Sequence, residues 1–303
     1  MSTPRVTLPP VRQPDPSTAR HRRGRPFPVL AGLMSVIVAS LMLIAAPLVV
    51  DSRDQAAGAP VNGSATTGAW SGVLSWPTLA VHAVLSPAGK VVTWGNGQSG
   101  TSFDVWDPAL GTGAGSHQLL SNDTGTALFC SGQHVSPTTG EILTFGGELP
   151  DASGAVAALR FAPGSNQLSD TANPMKHPRW YPTTTRLPDG RTLVQGGSVG
   201  GFDGASVITP ELFTPGSGWT ELTGAASEAI YGYPANAGPG WYYPRTWVQS
   251  DGRIFGLSQR NMYYIDPSGA GSITPIPGTW NRGAGHQSTA VMYRPTRSCG
   301  SGG

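Results

Sequence analysis

Apolar residues in this chain fall in pairs and triplets rather than in helical stripes. Val91-Val92, Ile142-Leu143, Leu193-Val194 and Ile254-Phe255 each stand within three residues of a preceding glycine. Runs this short, punctuated by Gly, Pro and Asp, predict many short strands. One phrase recurs: Gly89-Lys90-Val91-Val92-Thr93-Trp94-Gly95, Gly140-Glu141-Ile142-Leu143-Thr144-Phe145-Gly146-Gly147, Gly190-Arg191-Thr192-Leu193-Val194-Gln195-Gly196-Gly197 and, more loosely, Gly252-Arg253-Ile254-Phe255-Gly256-Leu257. The lead glycines lie 51, 50 and 62 residues apart. Strand-like stretches precede them at 81–87, 129–137, 181–188 and 244–250, and a fifth begins at 286–295. Further strands follow at Phe103-Asp104-Val105-Trp106-Asp107-Pro108, at Leu212-Phe213-Thr214-Pro215 with Trp219, and at Tyr263-Tyr264-Ile265-Asp266-Pro267.

Each unit reads as two strands joined by an Asp-Gly or Thr-Gly turn, a bend at the double glycine, and an outer strand closing at Asp-Pro. A repeat of this length built from antiparallel strands is a four-stranded propeller blade, whereas a sandwich would not repeat one glycine phrase. The expected fold is an all-β, Kelch-like β-propeller. Four to five blades are present where six or seven are usual, so residues 70–303 read as a truncated propeller.

Composition agrees with a turn-dense globular chain: 42 Gly and 28 Pro in 303 residues, with only 12% charged. The net charge of +2 conceals an asymmetry. Residues 1–28 hold six Arg against Asp15 alone, which leaves 13 basic and 16 acidic residues afterwards, a net −3. No basic stripe follows, which excludes nucleic acid as a partner. Residues 29–50 form an uncharged apolar stretch long enough to span a bilayer, and the Arg cluster before it should stay cytoplasmic. The chain therefore reads as a basic tail (1–28), a signal anchor or signal peptide (29–50), a flexible linker (51–69) and an exported domain at the cell surface or beyond it.

Two motifs carry the candidate chemistry. Asn122-Asp123-Thr124-Gly125 leads to Phe129-Cys130-Ser131-Gly132, and one blade later stands Pro178-Arg179-Trp180-Tyr181-Pro182-Thr183-Thr184-Thr185. Cys130 lies ten residues before Gly140, and Tyr181 nine before Gly190. Equivalent places on adjacent blades should bring them together near the axis. From the residues alone Cys130 also reads as a small buried hydrophobe or as a disulfide partner of Cys299, and Tyr181 as a core aromatic. His82, His117, His134, His177 and His286 lack metal-ligand spacing and read as surface or satisfied histidines.

Through these motifs, over about residues 70–293, the chain resembles the copper radical oxidases, among them galactose oxidase, glyoxal oxidase and, most nearly, bacterial glyoxal oxidase-like proteins. The resemblance implies a thioether between Cys130 and the Tyr181 ring, with the Tyr181 phenolate on copper. It implies oxidation of small aldehydes or alcohols with O2 to give H2O2. Copper alone offers one convenient electron and the cross-linked tyrosine a second, while the protein orients and shields the centre. The chain departs from the family in lacking a Tyr-His pair and a distal His. Val199 also stands where galactose oxidase has a stacking Trp, although Trp241, Tyr242 or Tyr243 could supply such a ring. The chain by itself is therefore expected to be inactive, and the alternative is a non-catalytic module that binds a glycan or a protein. The final residues, 294–303, fall where a fifth glycine phrase is due, and the expectation is that they are a frameshifted reading of it.

Overall fold

The computed structural model describes residues 71–95, 101–149, 153–162, 164–171, 173–201, 204–233, 238–278 and 290–292. The expected tail, anchor and linker, most of the fifth strand-like stretch with His286, and the chain end with Cys299 lie outside the described residues. Among the described residues no helix is long and apolar enough to cross a membrane.

Among the described residues sixteen strands form four antiparallel four-stranded sheets, each ordered as in the sequence, which is a propeller-like arrangement. The first holds β1 (His82–Leu85), β2 (Val91–Trp94), β3 (Ser102–Trp106) and β4 (His117–Ser121). The second holds β5 (Gly132–Val135), β6 (Ile142–Phe145), β7 (Ala158–Ala162) and β8 (Gln167–Asp170). The third holds β9 (Trp180–Arg186), β10 (Thr192–Ser198), β11 (Glu211–Thr214) and β12 (Gly218–Glu221). The fourth holds β13 (Arg245–Val248), β14 (Ile254–Ser258), β15 (Asn261–Asp266) and β16 (Ser272–Ile276). One helical turn, α1 (Glu228–Tyr231), is capped by the Ser227 hydroxyl, which accepts from Ile230 N.

The recurring phrase is the second strand of each sheet, and its apolar residues are contiguous because both faces are packed. Ile142 joins Val92, Phe103 and Phe161 between the first two sheets. Its neighbour Leu143 faces the other way, onto Met175, Val194 and Phe213. Leu193 in turn meets Ile254, Tyr263 and Ile265 of the fourth sheet. Each pair of successive sheets thus shares its own core.

The glycines of the phrase do two jobs. The lead glycines Gly89, Gly140, Gly190 and Gly252 all take positive φ, between 71° and 88°, in the turns that reverse the first strand into the second. The double glycines serve close approach. A Cβ on Gly196 would lie 2.6 Å from the Trp241 carbonyl, and Gly197 N–H donates to that carbonyl at 2.7 Å. Gly146 and Gly147 stand in the same relation to the Arg179 carbonyl.

The outer strands β4, β8, β12 and β16 differ from the expected unit. Asp107-Pro108 closes the third strand of its sheet, not the last, and Pro108 opens a short 3-10 turn. The fourth strands present mostly exposed side chains, as in β8 and β16, so no hydrophobic alternation marks them in the sequence.

Arg179, wholly buried, holds the entry to the third sheet. Its Nε and one terminal nitrogen donate to Glu211 Oε2 at 3.0 and 2.7 Å, and its other contacts are the Gly196 and Thr209 carbonyls, both at 2.6 Å. Both side chains of this ion pair have no solvent exposure. Replacing Glu211 by Leu leaves the guanidinium buried without its carboxylate, and the expected loss of unfolding free energy is about 3–5 kcal/mol. Breaking the exposed Arg191–Asp189 pair by Asp189→Ala is expected to cost under about 1 kcal/mol. Urea midpoints of the two variants measure both, and equal shifts would contradict this account.

Two inner-strand histidines give the fold an acid sensitivity. Burial lowers both His82 and His134 from 6.5 to about 4. Between those values the unfolded chain binds more protons than the folded one. Their contribution is complete above about pH 6.5 and is lost as the pH falls to about 4. Urea midpoints should fall over that window. His134→Gln, with no ring to titrate, should show a shallower fall, and an unchanged fall would remove His134 from the explanation.

Candidate functional site

Three residues at one level of the inner strands share an uncommon backbone. Cys130, just before β5, has φ 62°, Tyr181 in β9 has φ 62°, and Tyr243, just before β13, has φ 41°. None is glycine, and such a conformation costs a side-chain-bearing residue on the order of 1–3 kcal/mol. Hydrogen bonds across the sheets hold it. Tyr243 N–H donates to the Tyr181 carbonyl at 3.2 Å, and Tyr181 N–H to the Cys130 carbonyl at 3.0 Å. The Cys130 N–H ends on His82 Nε2 at 3.2 Å.

This turn aims the two expected residues at each other. The Cys130 and Tyr181 side chains pack in one cluster and line one cavity, and both residues are buried, at 2% and 9% exposure. The expectation that equivalent positions on adjacent blades meet is therefore what the structure shows. Cys130 is a free thiol, while Cys299, its alternative partner, lies outside the described residues.

Around the pair stands a shell of rings. Tyr242 stacks on Tyr181 with centroids 4.4 Å apart and planes 22° from parallel, and its phenol also bonds that of Tyr181. Trp180 and Tyr243 present edges at 4.2 and 5.2 Å. Of the three aromatics before Pro244, Tyr242 takes the stacking place, while Val199 is 39% exposed. Tyr243 was open to discovery by counting, since it lies nine residues before Gly252 as Tyr181 does before Gly190. A cavity of about 500 Å³ opens beside the cluster, with His82, Phe129, Cys130, Tyr181 and Tyr242 in its wall.

The electrostatics of the site are those of a neutral, dry environment. Burial pushes the Cys130 thiol up to about 12, partly offset by its hydrogen bond to Tyr181. Burial, followed by the Cys130 hydrogen bond, raises Tyr181 further above its ordinary value. Tyr242 and Tyr243 are raised by burial too. At neutral pH the pair is thus a thiol beside a phenol, both protonated. A thiol in that state is a poor nucleophile, and neither group is tuned for proton transfer near pH 7.

The other described histidines are engaged. His117 bonds the buried Asp104 carboxylate at 2.8 Å, His177 bonds Glu221 at 2.8 Å, and His134 bonds the Thr192 hydroxyl at 2.7 Å. Among the described residues no group of three or more His, Cys, Asp or Glu is placed to hold a metal ion.

No protein-family model matches the chain, and no curated protein matches it. Solved structures do. A fungal alcohol oxidase of the AA5 family, in complex with copper, aligns with 64% of this chain and 40% of its own at 20% identity, with a TM-score of 0.52. The structure of YjhT aligns with 64% of this chain and 63% of its own at 14% identity and a TM-score of 0.45, too distant to bear on the fold. The chain thus spans less than half the length of the copper-bound oxidase, and at this identity what the two share is the fold.

Proposed function

We propose that this chain carries the propeller portion of an extracellular copper radical oxidase, nearest to the bacterial glyoxal oxidase-like proteins, and that Cys130 and Tyr181 become its thioether pair. The observation that carries the reading is the packing of a free thiol with a buried phenol in one cluster, each in a left-handed turn. The copper-bound AA5 oxidase of like fold supports it. The substrate class is a small alcohol or aldehyde, with O2 as the acceptor that leaves as H2O2.

The residues fit the cross-link, because Sγ joins a ring carbon beside the hydroxyl without either backbone moving to another sheet. Tyr181 would supply one oxygen to copper. His82 would not supply its Nε2, which already accepts from Cys130 N–H. Copper, when bound, would accept one of the two electrons that oxidation of an alcohol releases. The chain's own residues do the rest. Tyr181 holds the second equivalent, the Tyr242 ring lies over it, and the surrounding aromatics exclude water. In cross-linking, the S–H and one ring C–H bond break, the S–C bond forms, and the two hydrogens reduce O2 to H2O2.

One observation favours a second reading, in which the propeller binds a glycan or a protein without catalysis: among the described residues no further cluster of metal ligands stands near Tyr181. One experiment separates the two. In a chain of the copper-bound oxidase's length, incubation with copper and O2 is expected to remove the mass of two hydrogens. Cys130→Ser, Tyr181→Phe and chelator-treated samples are expected to keep theirs. An unshifted mass with copper demonstrably bound would sink the oxidase assignment and leave the binding module.

A further inference from the structure

The cross-sheet chain of hydrogen bonds needs an acceptor at its far end. Tyr243 donates to Tyr181 and Tyr181 to Cys130, backbone to backbone. The last donor, Cys130 N–H, finds no carbonyl and ends instead on the His82 ring, which reaches across from β1. We propose that His82 is the positioning residue for Cys130: its Nε2 stands where the neighbouring sheets use a carbonyl, fixes the left-handed turn and so aims the thiol at the Tyr181 phenol. The proposal rests on the reading of Cys130 and Tyr181 as the pair that becomes bonded.

Three features show that the ring is built into this role. A buried N–H without an acceptor is as unfavourable as a lost hydrogen bond, so the acceptor decides whether Cys130 keeps a conformation that side-chain-bearing residues rarely adopt. The ring is clamped from both ends of the Cys130 turn. It stacks on Trp94 at 5.5 Å and 14°, and the Trp94 indole donates to the Leu128 carbonyl at 3.0 Å, two residues before Cys130. On the other side Gln133, three residues after Cys130, lines the same cavity wall as the ring. Nε2 can accept only if the neutral ring carries its proton on Nδ1. A phenylalanine at position 82 would keep the stacking on Trp94 and lose the acceptor. A glutamine would lose the stacking and keep an acceptor at the same reach.

Three readouts on the full chain test this: ring nitrogen shifts of His82, hydrogen exchange of the Cys130 amide, and yield of the Cys130–Tyr181 thioether under copper and O2. The wild type is expected to show the Nδ1–H tautomer. Loss of one hydrogen bond in His82→Phe should speed Cys130 amide exchange about tenfold, with His82→Gln returning to within about twofold of wild type. Thioether yield should fall in His82→Phe and recover in His82→Gln. A wild-type ring protonated on Nε2, exchange unchanged in His82→Phe, or His82→Gln as impaired as His82→Phe would each overturn the proposal. If His82→Phe does not fold, the wild-type tautomer and His82→Gln decide the matter. If wild type forms no thioether, the reading of the pair fails, while tautomer and exchange still decide the role of His82.

Discussion

The Arg179 guanidinium sits where no solvent reaches it, and it ties the strands of the third sheet together beside the second. Taking both charges of the Arg179–Glu211 pair out of water costs several kcal/mol per ion. Here nearly every polar contact is used to offset that. Two nitrogens share Glu211 Oε2, the Gly196 and Thr209 carbonyls take the remaining donors, and Glu211 Oε1 accepts from Lys176 N–H. The backbone of the same residue faces the preceding sheet, where its N–H donates to Ala155 O and its carbonyl accepts from Gly147. A hydrophobic residue of equal volume could pack there, yet it could not tie the Gly196 and Thr209 carbonyls and β11 to the start of β9.

That register reaches the candidate site within two residues, because Tyr181 follows Arg179 by two in the strand. The side chain of Arg179 secures one end of β9, and the cross-sheet hydrogen bonds then carry the left-handed turn from Tyr243 through Tyr181 to Cys130. The backbone conformation is unfavourable locally and persists because its surroundings determine it. In return it places a thiol and a phenol together at the inner ends of adjacent sheets, with uncharged groups beside them. Burial keeps both protonated at neutral pH, and the stacked Tyr242 ring covers one face of Tyr181.

Much of this was legible in the residues. The glycine phrase marks the second strand of every sheet because the turn before it needs positive φ and the double glycine must admit a carbonyl of the next sheet. Those are backbone requirements that only one residue type meets cheaply. The contiguous apolar pairs mark a strand packed on both faces. Counting back from the lead glycines placed Cys130 and Tyr181 at one level, since a repeat fixes level by its period. The same count reaches Tyr243. The outer strands left no such trace, because their side chains mostly face solvent and tolerate almost any polar residue.

The sequence by itself thus determined the strand-rich repeat, the levels of its residues and the meeting of Cys130 with Tyr181. Tertiary structure alone decided their partners. Nothing in the chain pairs Arg179 with Glu211, 32 residues on, or Cys130 with His82, 48 residues back. Nor does it say which of Trp241, Tyr242 and Tyr243 lies flat on Tyr181. A period states which residues stand at the same height in successive sheets. The direction of each side chain depends on local φ and on the packing of the neighbouring sheet, and those exist only once the sheets have come together.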